Sequence, residues 1–174
     1  TGQQTIVLNA SSATINGLEL DFAANLYRGL TLTGNLGLLD AKYDKLIDPI
    51  SSTDLSSLKL RRAPRITGTL TPSYEWVAGR VTASVQADYH YVGAEELTFL
   101  NSPQGHNGSQ QIVDASINLG INRTRFSLYG QNLTREDAWT QAYDVGAAVG
   151  FGGLWTYATP RAPLTYGVRI THSF

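Results

Sequence analysis

With 174 residues the chain is long enough for one ordinary domain and too short for two well-developed ones. Thirteen Lys and Arg against fourteen Asp and Glu leave a net charge of -1, which excludes the basic footprint of a nucleic-acid partner. The absence of Cys excludes disulfide scaffolds, thiolate metal sites, thiol catalysis and iron–sulfur clusters together.

The start, Thr1-Gly2-Gln3-Gln4, lacks the basic and apolar regions of a secretory signal, so the expectation is that a leader was removed or that the chain begins within a longer protein. A ragged first run, residues 4 to 8, leads through a short connection at 9 to 12 into a strand expected over Leu18 to Leu26. A turn at Tyr27-Arg28-Gly29 returns the chain along Leu30 to Leu38, and a long polar loop follows at about 40 to 63. The next strand sets Ile66, Gly68, Leu70, Pro72, Tyr74 and Trp76 against Thr67, Thr69, Thr71, Ser73 and Glu75. After the turn Val77-Ala78-Gly79-Arg80, Val81, Ala83, Val85, Ala87, Tyr89 and Tyr91 alternate with Thr82, Ser84, Gln86, Asp88 and His90. A second long loop covers about 93 to 110. Val113 to Ile121 and Arg125 to Leu133 form a third hairpin around Asn122-Arg123-Thr124, and a third long loop runs from 134 to 162. The last segment sets Tyr166, Val168, Ile170, His172 and Phe174 against Thr165, Gly167, Arg169, Thr171 and Ser173. This makes eight candidate strands.

Short turns alternate with long loops, so one end of the sheet carries all the long connections, as in an outer-membrane barrel. A soluble sandwich or lipocalin-like barrel also alternates. Its exposed face, however, ordinarily carries many Lys and Glu, whereas the polar rows here hold mostly Thr, Ser, Gln and Asn. Only 16% of the residues are charged, against about 25% in average soluble domains. No run approaches the roughly 18 apolar residues of a membrane helix. Tyr74 and Trp76 lie beside a short turn and Tyr89, Tyr91 and Tyr166 beside long loops, which fits two interfacial aromatic girdles. The fold expected is all-β, an antiparallel transmembrane barrel wall. Val81, Val85, Ala87, Ile117, Leu119, Val168 and Ile170 should face lipid, and Thr69, Gln86, Asp88, Asp114, Asn118 and Arg169 the lumen.

Several stretches resemble the C-terminal barrel portion of TonB-dependent outer-membrane receptors. Asn9 to Leu20 is similar to a family strand with a Gly-hydrophobic-Glu motif, and Leu30 to Tyr43 to an LTLxGxLGxLDAxY strand. Leu60-Arg61-Arg62-Ala63-Pro64 resembles the RAP entry to the next strand, Phe126 to Thr134 the NLTD strand, and Pro160 to Phe174 the closing strand. Two departures stand out: Thr134 is followed by Arg135-Glu136-Asp137, and His172 takes the place of a common Tyr. The resemblance implies that the chain is the last third or so of a receptor whose barrel has about 22 strands and is filled by an N-terminal plug. It further implies energy-coupled uptake of a scarce nutrient, most often an iron–siderophore complex. The partners implied are the inner-membrane protein TonB, the barrel-assembly machinery, outer-membrane lipid, lipopolysaccharide and a small-molecule ligand. The C-terminus is expected on the periplasmic side, with Tyr166, Val168, Ile170 and Phe174 as the assembly signal.

The candidates for chemistry are few. Ser84, Asp88 and His90 share the polar row of one strand, a thin basis for a hydrolase, since a triad depends on tertiary placement. Asp88, His90, Glu95 and Glu96 show no recognised ligand spacing, so neither a metal nor a cofactor is expected. The sequons at Asn9, Asn107, Asn122 and Asn132 read as chance. The loop from Arg135 to Arg161 carries Trp139, Tyr143, Phe151, Trp155 and Tyr157, a ligand platform or, equally open, rings packed on neighbouring loops or in the lipopolysaccharide zone. Arg61 and Arg62 suit an anionic ligand, anionic lipid sugars or plain solvation. Besides a receptor segment, a self-contained eight-stranded anchoring barrel and an outer-membrane enzyme remain as alternatives.

Overall fold

The computed structural model describes residues 11–49, 51–145 and 154–174. The expected run at 4 to 8 lies outside the described residues, as does Phe151. Seven strands form one antiparallel sheet: β1 (Ser11–Tyr27), β2 (Leu30–Leu46), β3 (Ile66–Ala78), β4 (Val81–Val92), β7 (Gln110–Ile121), β8 (Thr124–Gln131) and β11 (Thr165–His172). Each pairs with the next of these in sequence, with β1 and β11 at the two edges. Four short strands stand apart from it, paired as β5 (Glu95–Glu96) with β6 (His106–Asn107) and β9 (Trp139–Val145) with β10 (Trp155–Pro160). One turn of 3-10 helix, Pro103–Gly105, is the only helix among the described residues.

The period-two pattern dictates the sheet because only a pleated strand sends successive side chains to opposite faces. Gly29 closes the first turn at φ 77, in the left-handed region, and a Cβ there would strike the Glu75 carbonyl. On one face, Leu18, Leu20, Leu36, Leu38, Leu70, Val85, Ile117, Leu119, Leu128, Val168 and Ile170 are all exposed. Ala83 on that face is buried because its register partners are Trp76 and Leu119. The other face is a hydrogen-bonded lattice. Thr71 Oγ1 and Gln86 Nε2 donate to Asp88, Asn118 Nδ2 donates to Ser84, and Ser127 Oγ donates to Asn118 Oδ1. Arg169 lies over the Tyr129 ring, 5.7 Å from its centroid, on this same side. The expected division of the two faces therefore holds.

Three expectations need correction. The first described strand begins at Ser11 rather than Leu18, and β2 runs to Leu46, through what had read as loop. Residues 11 to 17 and 40 to 46 hold only Ala13, Ile15, Ala41, Tyr43 and Leu46 as apolar residues among Ser, Thr, Asn, Gly, Asp and Lys, so the apolar alternation there is sparse. At about 3.3 Å per residue, seventeen residues outreach the apolar band of about 25 Å, so the polar ends project beyond it. Thr14 Oγ1 donates to Asp44 Oδ2 there. Second, the two later long loops contain the β5–β6 and β9–β10 pairs. Third, the alternative of a self-contained eight-stranded barrel is not what the described residues form: their sheet is open, with β11 paired only to β8 and β1 only to β2, as a segment of a larger barrel would be.

Burial is concentrated at the long-loop end. Leu97, Thr98, Asn107, Gln110, Asn132, Ala138 and Ala142 are buried there, whereas Ala83 is the one buried apolar residue near the short-turn end of the described sheet.

Candidate functional site

The loop between β8 and β11 folds back as the β9–β10 hairpin. Its register sets Tyr157 opposite Tyr143 and Trp155 opposite Val145, so Tyr143, Trp155 and Tyr157 share one face; a one-residue slip between Thr159 and Pro160 then sets Pro160 opposite Trp139 and takes Trp139 off that row. All four rings are exposed. The opposite face, with Ala142 only 4% exposed, seats against the 3-10 turn: Ser102 Oγ donates to Asp144 Oδ1 at 3.0 Å, and Thr156 Oγ1 donates to the same oxygen. The aromatics are thus residues of a paired hairpin, not of an irregular loop.

Three asparagines hold the loops together, each through its side-chain amide. Asn101 joins the second long loop to the first: its Oδ1 accepts from Lys59 N at 2.7 Å and its Nδ2 donates to Lys59 O at 3.1 Å. Asn107 joins the second to the third, accepting from Trp139 N at 3.0 Å and donating to Trp139 O at 2.8 Å. Asn132 folds the third on itself, donating to the carbonyls of Glu136 and Ala162 and accepting from Glu136 N at 2.7 Å. Its own N–H donates to Asp114 Oδ1. Asn107 and Asn132 had passed as chance sequons. The one local cue is that Asn tolerates left-handed backbone, which Asn101 (φ 53) and Asn132 (φ 50) adopt.

The buried Glu96 carboxylate takes Lys59 Nζ at 3.2 Å and His106 Nδ1 at 3.0 Å. Arg62 donates from its backbone N to Glu96 O and from Nη2 to Thr140 O, touching the aromatic hairpin from its edge. Arg61, bridged to Glu96 along the backbone, stays exposed. The two arginines therefore support the loop cluster at its junction and do not join the aromatic face. Asp54 lies in the first loop, where the Ser56 hydroxyl and N–H hold its carboxyl below the usual carboxylate value. A hollow of about 280 Å³ opens between the second and third loops, lined by His106, Asn107, Gln110, Glu136, Asp137 and Trp139 among others.

Elsewhere, Tyr166, Val168, Ile170 and Phe174 are all strongly exposed along the apolar side of the edge strand β11 and its end. His172 donates to or accepts from Thr124 Oγ1 at 2.8 Å and meets the Phe174 ring edge-on at 5.1 Å. His90 Nδ1 lies 3.3 Å from Thr69 Oγ1, Asp88 is held by Thr71 and Gln86, and Ser84 by Asn118. Each of these three side chains is engaged by a different neighbour, and the described residues contain no relay among them. Asp88, His90, Glu95 and Glu96 likewise form no cluster of metal-ligating groups among the described residues.

The model of the TonB-dependent receptor-like β-barrel family matches residues 1–133. Among solved structures, the chain is similar to the ferric yersiniabactin uptake receptor FyuA from Yersinia pestis, with a TM-score of 0.74 and 18% identity over 93% of this chain and 24% of that one. It is also similar to the siderophore receptor PiuA from Acinetobacter baumannii, with a TM-score of 0.69 and 20% identity over 93% of this chain and 22% of the other. No curated protein matches it in sequence. The chain thus spans about a quarter of the length of the structures it matches, and at these identities the likeness is one of fold.

Proposed function

The chain belongs to the TonB-dependent receptor β-barrel family, whose members are outer-membrane proteins, and from that premise we propose that it forms the C-terminal part of a receptor's barrel wall and serves energy-coupled uptake of a ferric siderophore. The observation that carries this reading is the two-faced sheet joined at its long-loop end to a braced aromatic hairpin. An apolar outer face anchors the wall in lipid, and a polar inner face provides a wet passage. Rigid rings outside the membrane offer contact area to a bulky ligand at low entropic cost. In this reading the long loops are extracellular and meet lipopolysaccharide, and Phe174 ends in the periplasm. A plug domain that engages TonB precedes these strands. Tyr166, Val168, Ile170 and Phe174 are read by the barrel-assembly machinery.

The test is growth and uptake. A strain lacking the full-length gene is supplied with radiolabelled ferric tris-catecholate or ferric tris-hydroxamate complexes under iron limitation. Uptake that requires both the gene and an intact TonB supports the reading; uptake indifferent to either defeats it.

A further inference from the structure

The backbone of Trp139 lacks a complete partner within its own hairpin. The residue opposite is Pro160, which has no N–H to give, and the register slips by one between Thr159 and Pro160. Trp139 turns its N–H and C=O away from β10 and presents both to Asn107, whose amide receives one at 3.0 Å and meets the other at 2.8 Å. Asn107 thereby does the work of a paired strand residue at the free edge of β9. It is itself only 3% exposed and is fixed by pairing with Glu95. Its neighbour His106 is tied to the buried Glu96.

The geometry points to Asn107 as a positioning residue: it sets the backbone at Trp139 and so aims the Trp139 ring and shapes the hollow beside it. Asn107 and Trp139 both line that hollow. An apolar residue at 107 would leave two polar groups of Trp139 without their partner, and the first residue of the hairpin would lose its anchor to the second long loop. The link from this geometry to ligand capture rests on the receptor reading above; the positioning itself does not.

Two readouts on the full-length receptor separate the two statements. In a background with Trp76→Phe and Trp155→Phe, Trp139 is the only tryptophan of this segment, and its emission and quenching are followed alongside amide hydrogen exchange at 139 to 143. Asn107→Ala should speed exchange there about tenfold or more and raise quenching, with β4 and β7 unchanged. Asn107→Asp, which keeps the acceptor and loses the donor, should fall between and guards against a variant that fails to assemble. Unchanged exchange and quenching in both variants overturn the positioning role. Binding of ferric tris-catecholate and ferric tris-hydroxamate is then titrated. Affinity lost in Trp139→Ala and equally in Asn107→Ala supports the full inference, whereas loss in Trp139→Ala alone shows that Asn107 does not position the ring for ligand. Binding indifferent to Trp139 defeats the ligand reading and leaves the exchange result to decide on Asn107.

Discussion

Asn132 shows what a single side chain contributes in a chain without an ordinary core. It is buried, its amide makes three hydrogen bonds to backbone groups, and its own backbone sits at φ 50. Replacing it with Ala strands those groups and should cost about 1–3 kcal/mol per unsatisfied buried group, felt in the third loop rather than in the sheet. Limited proteolysis should show cleavage within 132 to 164 rising steeply while β4 and β7 stay protected. At the other end, Phe174 contributes no packing to the described structure beyond its edge contact with His172. Phe174→Asp should therefore lower receptor level in the outer membrane while synthesis continues, as immunoblots of membrane and total fractions would show. Equal membrane levels would remove the assembly role. The charge of Asp54, favoured by its Ser56 contacts, steadies the first loop at neutral pH. Because its pKa is lowered on folding, that contribution is present above the ordinary carboxylate value and is lost as pH falls through the folded one.

At the level of elements, β4 reads off directly, because Val81 to Tyr91 keep one parity apolar and the other polar without a break. Single cysteines at Gln86, Asp88 and Asn118 should react with a small membrane-impermeant thiol reagent in intact outer membranes, whereas those at Val85, Ile117 and Ile170 should not. A reversed pattern would mean that the apolar face is an inner core. The elements that stayed hidden share a physical cause. Ser11 to Gly17 and Asp40 to Leu46 extend past the apolar band, where charged and hydroxyl residues dilute the alternation of Ala13 with Ile15 and of Ala41 with Tyr43. Trp139, Gln141, Tyr143 and Val145 do alternate, but the glycine-rich stretch after Val145 and the proline at 160 gave the segment the composition of a loop. The four aromatics were legible as a group from composition, while the common face of Tyr143, Trp155 and Tyr157 follows from the register of Tyr143 against Tyr157, which is a tertiary fact. Replacing Tyr143 and Tyr157 together with Ala should weaken ferric-siderophore binding about tenfold or more with normal membrane levels. A double variant that binds and imports like wild type would assign these rings to loop packing or to the lipopolysaccharide zone.

At the scale of the whole sheet, β1 and β11 are its two edges among the described residues, and no other described residue covers its row of large apolar side chains. Its buried groups lie instead where the three long loops meet, and the bonds there join distant stretches of chain: Lys59 to Asn101, and Arg62 to Thr140. Contacts of such sequence separation form late, since the chain between them must first be ordered. The described sheet has no apolar interior to collapse around in water, so during passage to the bilayer its apolar rows are an aggregation hazard that other molecules must shield. Lipid takes the place of the missing core, and the brace of asparagines that presents Trp139 can close only after the strands beneath it have been laid side by side. On the receptor function proposed above, competence to capture a ligand is then the final event of biogenesis, and a wall that inserts yet leaves its loops unjoined would be counted as present in the membrane while remaining blind.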